Sequence, residues 1–409
     1  MKRVIRLPRY LSVLLLIAFC VFLLVECIGH DDKRGISAKN GFSAFAGSAS
    51  CATCHKEIYN SHLHTAHFRS FQPASADYIK GSFVPGNNRF AYNPSLEVVM
   101  EKRDSGYYQA IYHNGSDIKD LKFDIVVGSG AKGQSYLYWE NNRLFQLPVS
   151  YFTVADQWSN SPGYPPDRIL VDRPVTSRCI ECHATYADTV PDASGNVETF
   201  DRAHMIYGVD CEKCHGPAAE HVAFHTKNPA EKTGKWIIDP AMFTRQQNLD
   251  LCALCHGGRL QKTQPSFSFT AGDKLSDHFI VNPLNPEAIA YGNIDVHGNQ
   301  YGLLQASKCF TLSNSLTCST CHNSHANERG NIALFSQRCM TCHTTGHEKL
   351  CKVDTTHVAT AATNCIDCHM PAQPSRAIAV FLKGSDVPAA SMVRSHFISI
   401  YPDISKKNN

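Results

Sequence analysis

The chain has 409 residues, 43% of them hydrophobic and 18% charged, which excludes a disordered protein and leaves room for two or three ordinary domains. Its formal charge is only +3, with no basic stripe, so a nucleic-acid partner is not expected. Its 18 cysteines suit an exported protein better than a cytosolic one.

The N-terminus places Lys2, Arg3, Arg6 and Arg9 ahead of an apolar run over 11–28 that only Glu26 breaks. Basic residues before such a run read as an export signal, so residues 1–28 are a signal peptide or a membrane or lipoprotein anchor. Leu24-Val25-Glu26-Cys27 resembles a lipoprotein processing site with Cys27 acylated, although Glu26 replaces the small residue usual there. Four bases stand against one acid in the first 26 residues, so their removal takes the formal charge to zero. Residues 29–48, polar and rich in Gly, Ser and Ala, read as a tether.

Residues 49–82 carry CATCH, with Cys51, Cys54 and His55. Covalent haem attachment needs this pattern: each thiol adds to a vinyl group and the histidine ligates the iron. The pattern recurs as CIECH (Cys179, Cys182, His183), CEKCH (Cys211, Cys214, His215) and CALCH (Cys252, Cys255, His256). It returns as CSTCH (Cys318, Cys321, His322), CMTCH (Cys339, Cys342, His343) and CIDCH (Cys365, Cys368, His369). Independent placement at this composition predicts about 0.04 matches, so seven are not chance. A zinc ribbon needs no histidine after each CxxC, and a single redox dithiol would not recur seven times. The cofactors expected are therefore seven covalently attached haem c groups, whose propionates make the mature protein acidic. After the first motif, KEIYNSHLHTAHF suits a helix starting at His55. On it His64 and His67 share a face and His62 lies partly around.

Residues 83–172 hold no cysteine and alternate as strands, forming a small β-rich insertion. Turns are expected at Arg103-Asp104-Ser105-Gly106 and Glu140-Asn141-Asn142. The aromatic set Tyr136, Tyr138, Trp139, Phe145, Tyr151 and Phe152 reads as core and sheet surface rather than a ligand box. The glycine-rich 128–133 lacks the spacing of a P-loop and reads as a hairpin loop. The rigid turn 161–166 closes the module.

Residues 173–376 form a six-haem domain. Successive motifs begin 21 to 128 residues apart over the whole chain, so no solenoid period exists. Residues 377–409 form a C-terminal tail, opening with the strand-like AIAVFL and ending loose. Cys309 and Cys351 are the spare thiols of the body and could form a disulfide.

The seven motif histidines, His55, His183, His215, His256, His322, His343 and His369, supply the proximal ligands. The sixth position decides function: a second histidine makes a carrier, an open position a catalyst. Fourteen histidines lie outside the motifs, twice the number needed. His30 in the tether, His113 in a hairpin turn and His396 in the tail read as surface residues. His221, His325 and His347 follow motifs too closely to cap their own haems, so each would serve a neighbour. His204 and His357 shortly precede motifs, and His297 lies before the fifth. Histidine rather than methionine ligation implies low potentials.

CATCHKEIYNSHLHTAH, CEKCHGPAAEH, LTCSTCHNSH with the preceding VH, and CIDCHMP resemble the multihaem cytochromes of the cytochrome c-554 family, related to the hydroxylamine oxidoreductase group. The resemblance covers roughly 50–72 and 173–372. It implies a mostly helical, haem-packed fold with bis-histidine haems in close pairs, and distal roles for His67, His221, His297 and His325. Seven motifs exceed the four of the small carriers and fall short of the eight of the oxidoreductases. No CxxCK is present, against a pentahaem nitrite reductase type of site. The fold expected is a mainly α/irregular multihaem cytochrome c fold with a small inserted β-rich module. The function expected is electron relay in the periplasm or cell envelope, between redox partner proteins or a membrane quinol oxidase or reductase, with membrane attachment at the N-terminus. The alternatives are an oxidoreductase acting on a small nitrogen or sulfur oxyanion at one five-coordinate haem, and a docking subunit whose β module binds a membrane partner.

Overall fold

Asn114 and Gly115 both adopt positive φ, 49° and 78°, at a two-residue turn whose twist matches that of its flanking strands. The turn joins Gly106–His113 to Ser116–Lys122, and a second turn over Asp104 and Ser105 joins Leu96–Arg103 to Gly106–His113. With Arg89–Asn93 these form a four-stranded antiparallel meander in sequential order. The structure, a computed structural model, describes residues 41–191, 198–281, 294–343 and 364–401.

A five-stranded antiparallel sheet lies beside the meander, in the order Phe71–Pro73, Ile125–Val127, Ser135–Glu140, Arg143–Gln146 and Pro174–Val175. Its outer strands come from either side of residues 83–172. Asn141 and Asn142, at φ 49° and 60°, make the tight turn between Glu140 and Arg143. Period-two alternation sends Val126, Tyr136, Tyr138 and Phe145 to one face, where they pack with Val98, Met100, Ile111 and Trp158. Ile125, Leu137 and Leu144 point the other way, against Ile180, Ala184, Phe200 and Met205. The sheet is thus covered on both faces, and its second face carries the helix of the CIECH motif. Trp158 is 2% exposed, donates from Nε1 to the Ser82 carbonyl at 2.8 Å, and lies over Gly81. A Cβ at Gly81 would stand 2.1 Å from the indole.

The expectation of a mainly α or irregular fold does not hold. The described residues form seventeen strands in six antiparallel sheets, and their longest helix, Arg245–His256, has 12 residues. A CxxCH motif asks for one helical turn and no more, so the chain between motifs follows its own period-two pattern. The hairpin of Tyr186–Pro191 with Glu198–Ile206 separates the second and third motifs, and that of Ala372–Val380 with Ala389–Arg394 follows the seventh. The C-terminal strand therefore begins before residue 377, and the end of the tail beyond Tyr401 lies outside the described residues.

The helix after the first motif is also shorter than expected, covering Lys56–His62. The Thr65 hydroxyl donates to the His62 carbonyl at 2.7 Å and accepts from Phe68 N–H at 3.2 Å, competing with the helical ladder. His64 and His67 consequently do not share a helix face. Among the described residues no helix is long and apolar enough to cross a membrane. The 11–28 run, His30, and the proposed Cys309–Cys351 pairing, through Cys351, lie outside them.

Candidate haem-binding sites

Each motif sits on a single helical turn. The histidine N–H donates to the carbonyl of the first cysteine at His55 (2.8 Å), His322 (2.9 Å), His343 (3.1 Å) and His369 (3.0 Å). Positions i, i+3 and i+4 of such a turn face the same way, so both thiols and the imidazole converge on one side. Some of the turns are capped by side chains. Asp210 accepts the Cys211 N–H at 2.8 Å, and a Thr244–Gln247 capping box starts the helix that ends at His256.

Three imidazoles have Nδ1 beside a backbone carbonyl: His215 with Ile238 (3.0 Å), His369 with Ser399 (2.9 Å) and His221 with Lys235 (2.7 Å). Donation from Nδ1 leaves the Nε2 lone pair for a metal and sets the ring orientation. His278 differs, since Ser268 Oγ and Asp273 engage its two nitrogens.

Several rings face each other across a gap. The centroids of His67 and His256 are 6.2 Å apart, those of His215 and His325 6.0 Å, and those of His322 and His396 5.8 Å. Two imidazoles on opposite sides of one metal ion, each bonded at about 2 Å, hold their centroids roughly 6 Å apart. His67, His256, His297, His322 and His325 keep exposed surface, yet burial lowers their pKa values, that of His67 to about 4. Rings both accessible and desolvated line internal gaps. Two thiols and an imidazole on one side, with a second imidazole facing them, fit haem c.

The remaining candidates are placed as follows. His183 is desolvated, with Nδ1 buried and without a hydrogen-bond partner, and it interacts electrostatically with His297. His204 turns Nδ1 toward Asp188 and Asp201, both at 3.1 Å, and stacks on Phe42 at 4.7 Å. His221 has His225 as ring neighbour at 4.5 Å. His347 and His357 lie outside the described residues. His113 is exposed at its turn.

His396, expected at the surface, instead has its ring against His322, with burial lowering its pKa to about 4. Its position just after a strand that pairs back toward the last motif is the sequence signal that could have raised it. His62 has a structural role. It is 7% exposed and its Nε2 lies 3.1 Å from the Val209 carbonyl, fastening the first motif's helix to the turn before the third.

The motifs touch one another. Ala46 and Gly47 N–H, just ahead of the first motif, donate to the Glu212 carboxylate of the third at 2.8 and 2.9 Å, and the Cys51 and Cys211 thiols interact. Arg178 donates to the Leu254 carbonyl at 3.1 Å, joining the second motif to the fourth, and Cys182 meets Cys255. Arg245 on the fourth motif's helix donates to the Leu316 carbonyl at 3.0 Å, and Cys252 meets Cys318 of the fifth. Arg338 donates to the Cys321 carbonyl at 2.6 Å, and Cys365 N–H to Ser336 Oγ at 3.0 Å, linking the fifth, sixth and seventh. Among the described residues no three His, Cys, Asp or Glu side chains converge as a zinc ion would require.

Residues 167–216, which hold the second and third motifs, match the family described as Cytochrome c554 and c-prime. No curated protein matches the chain. The fold is similar to that in the crystal structure of outer cell wall cytochrome OcwA, with a TM-score of 0.55 and 15% identity, covering 90% of this chain and 82% of that one. The CxxCH turns with their facing imidazoles, the family match over two of them and the shared fold together support a multihaem c-type cytochrome with covalently bound haem c.

Proposed function

We propose that the protein is an exported heptahaem cytochrome that passes electrons between redox partners of the cell envelope. One observation carries the reading: every motif contacts another, and Ser70 in the first motif's segment donates from Oγ to the His183 carbonyl at 2.7 Å, which joins the first and third motifs to the linked second, fourth, fifth, sixth and seventh. Haem c supplies the reversible one-electron chemistry of its iron. The chain's own part is to hold, orient and shield. Paired thiols fix each group covalently, and carbonyls of Ile238 and Ser399 orient His215 and His369. His67, His325 and His297 would serve as distal ligands to haems held by His256, His215 and His183, and His204, His221, His347 and His357 are further candidates. Histidine on both sides favours carriage over substrate binding and keeps potentials low.

The basic and apolar N-terminus supports export, and the likeness to an outer cell wall cytochrome supports the periplasm or envelope. Redox proteins or a membrane quinol oxidase or reductase are the partners that fit this role. The test is pyridine haemochrome and intact mass of the purified protein, with low-temperature EPR. Seven haems per chain and only low-spin ferric signals are expected. Fewer haems would refute the count, and a high-spin signal that shifts with nitrite or cyanide would replace the carrier by an enzyme.

A further inference from the structure

We infer that His396 is the sixth ligand of the haem attached at Cys318 and Cys321, opposite His322. The inference rests on the proposed function, since it presupposes haem at that motif.

The geometry carries it. The planes of His396 and His322 are 26° apart and their centroids 5.8 Å, the separation that one metal ion between them requires. The backbone of His396 is pinned rather than trailing. Its N–H donates to Gln300 Oε1 at 3.2 Å, and its carbonyl accepts from the Ser307 hydroxyl at 2.9 Å. The same hydroxyl accepts the Ile398 N–H at 2.8 Å, and Ser307 is fully buried. Gln300 also donates to the Arg394 carbonyl at 3.0 Å, so the helix Gln300–Gln305 holds both sides of the histidine.

The plain alternative is a packing contact between two rings, for which 5.8 Å also falls in range. That alternative leaves His396 Nδ1 buried with no hydrogen-bond partner. A buried unpaired nitrogen costs about 1–3 kcal/mol, which an iron bond at that nitrogen would remove. Pinning the chain at four backbone groups to present a ring with an unsatisfied nitrogen makes sense if the ring has a ligand to meet. The consequence for the fold is that the C-terminal hairpin is closed over the fifth motif by a metal bond.

The test uses the purified holoprotein carrying His396→Ala. Haem per chain, from pyridine haemochrome and intact mass, should equal that of the parent. Ferric EPR should lose one low-spin haem per molecule and gain one high-spin haem, which binds cyanide and returns to low spin with added imidazole. His396→Met should stay six-coordinate and raise the midpoint potential of one haem. An unchanged EPR spectrum with full haem content would overturn the inference. Should His396→Ala not accumulate, a potentiometric titration of His396→Met identical to the parent's would overturn it as well. A parent protein lacking haem at this motif refutes the proposed function instead, and the haem count separates the two failures.

Discussion

The β-rich part of the chain and the part bearing the last four motifs hold together by different means. In the first, fourteen buried side chains form one cluster and nine another, and these bracket a sheet covered on both faces. In the second, the clusters among the described residues have five and three members, so the protein contacts described there supply less core. A large apolar side chain contributes roughly 1.5–3 kcal/mol when fully buried, against a chain-ordering cost of about 1–2 kcal/mol per residue. The β-rich part can meet that cost from its own residues. The motif part needs added apolar surface, which attached macrocycles provide. Among the described residues, four of the seven buried side-chain polar atoms without a partner are histidine nitrogens, on His62, His183, His225 and His396. Two of these, His183 and His396, are also haem-ligand candidates.

The largest expected effect follows from withholding haem. In protein made without haem attachment, amides of 245–343 should exchange at least a thousandfold faster, while the strands Leu96–Arg103 and Ser135–Glu140 keep their protection. Equal loss in both parts would erase the contrast.

Next comes the core of the β-rich part. Trp158→Ala should cost about 3–5 kcal/mol in denaturant unfolding, and Gly81→Ala, whose Cβ meets the same indole, about 1–3 kcal/mol. Both should leave haem content and visible spectra unchanged. A loss of haem in either variant would show that the two parts are not independent.

A smaller effect is pH-dependent and belongs to the motif part. The Arg338 guanidinium holds the Glu328 carboxyl at about 2, below its ordinary 4.5. A depressed folded-state pKa stabilises the native state above the unfolded value, and that contribution fades as pH falls from about 4.5 toward 2. Thermal melting should therefore drop over this window, and Glu328→Gln should flatten that part of the profile. The smallest effect is expected at the exposed Arg103–Asp120 pair on the meander. Asp120→Asn should change stability by less than about 1 kcal/mol, because solvent screens the pair.

The sequence by itself determined what five or fewer neighbouring residues can encode. The CxxCH motifs are legible because two thioethers and an axial bond require their partners on one helical turn. The turns at Asn141-Asn142 and after Arg103 are legible because positive φ and strand twist select their residues locally. Tertiary structure alone decided which histidine meets which. His67 faces His256 across 189 positions of chain, and neither ring's neighbourhood in sequence names the other. It also moved His396 from an assumed surface tail to a ring against His322, because Ser307 and Gln300 hold its backbone there. The helical fold implied by resemblance failed for the same reason. The motifs constrain single turns, whereas the hairpins between them arise from pairing and packing between distant strands, which no local pattern contains.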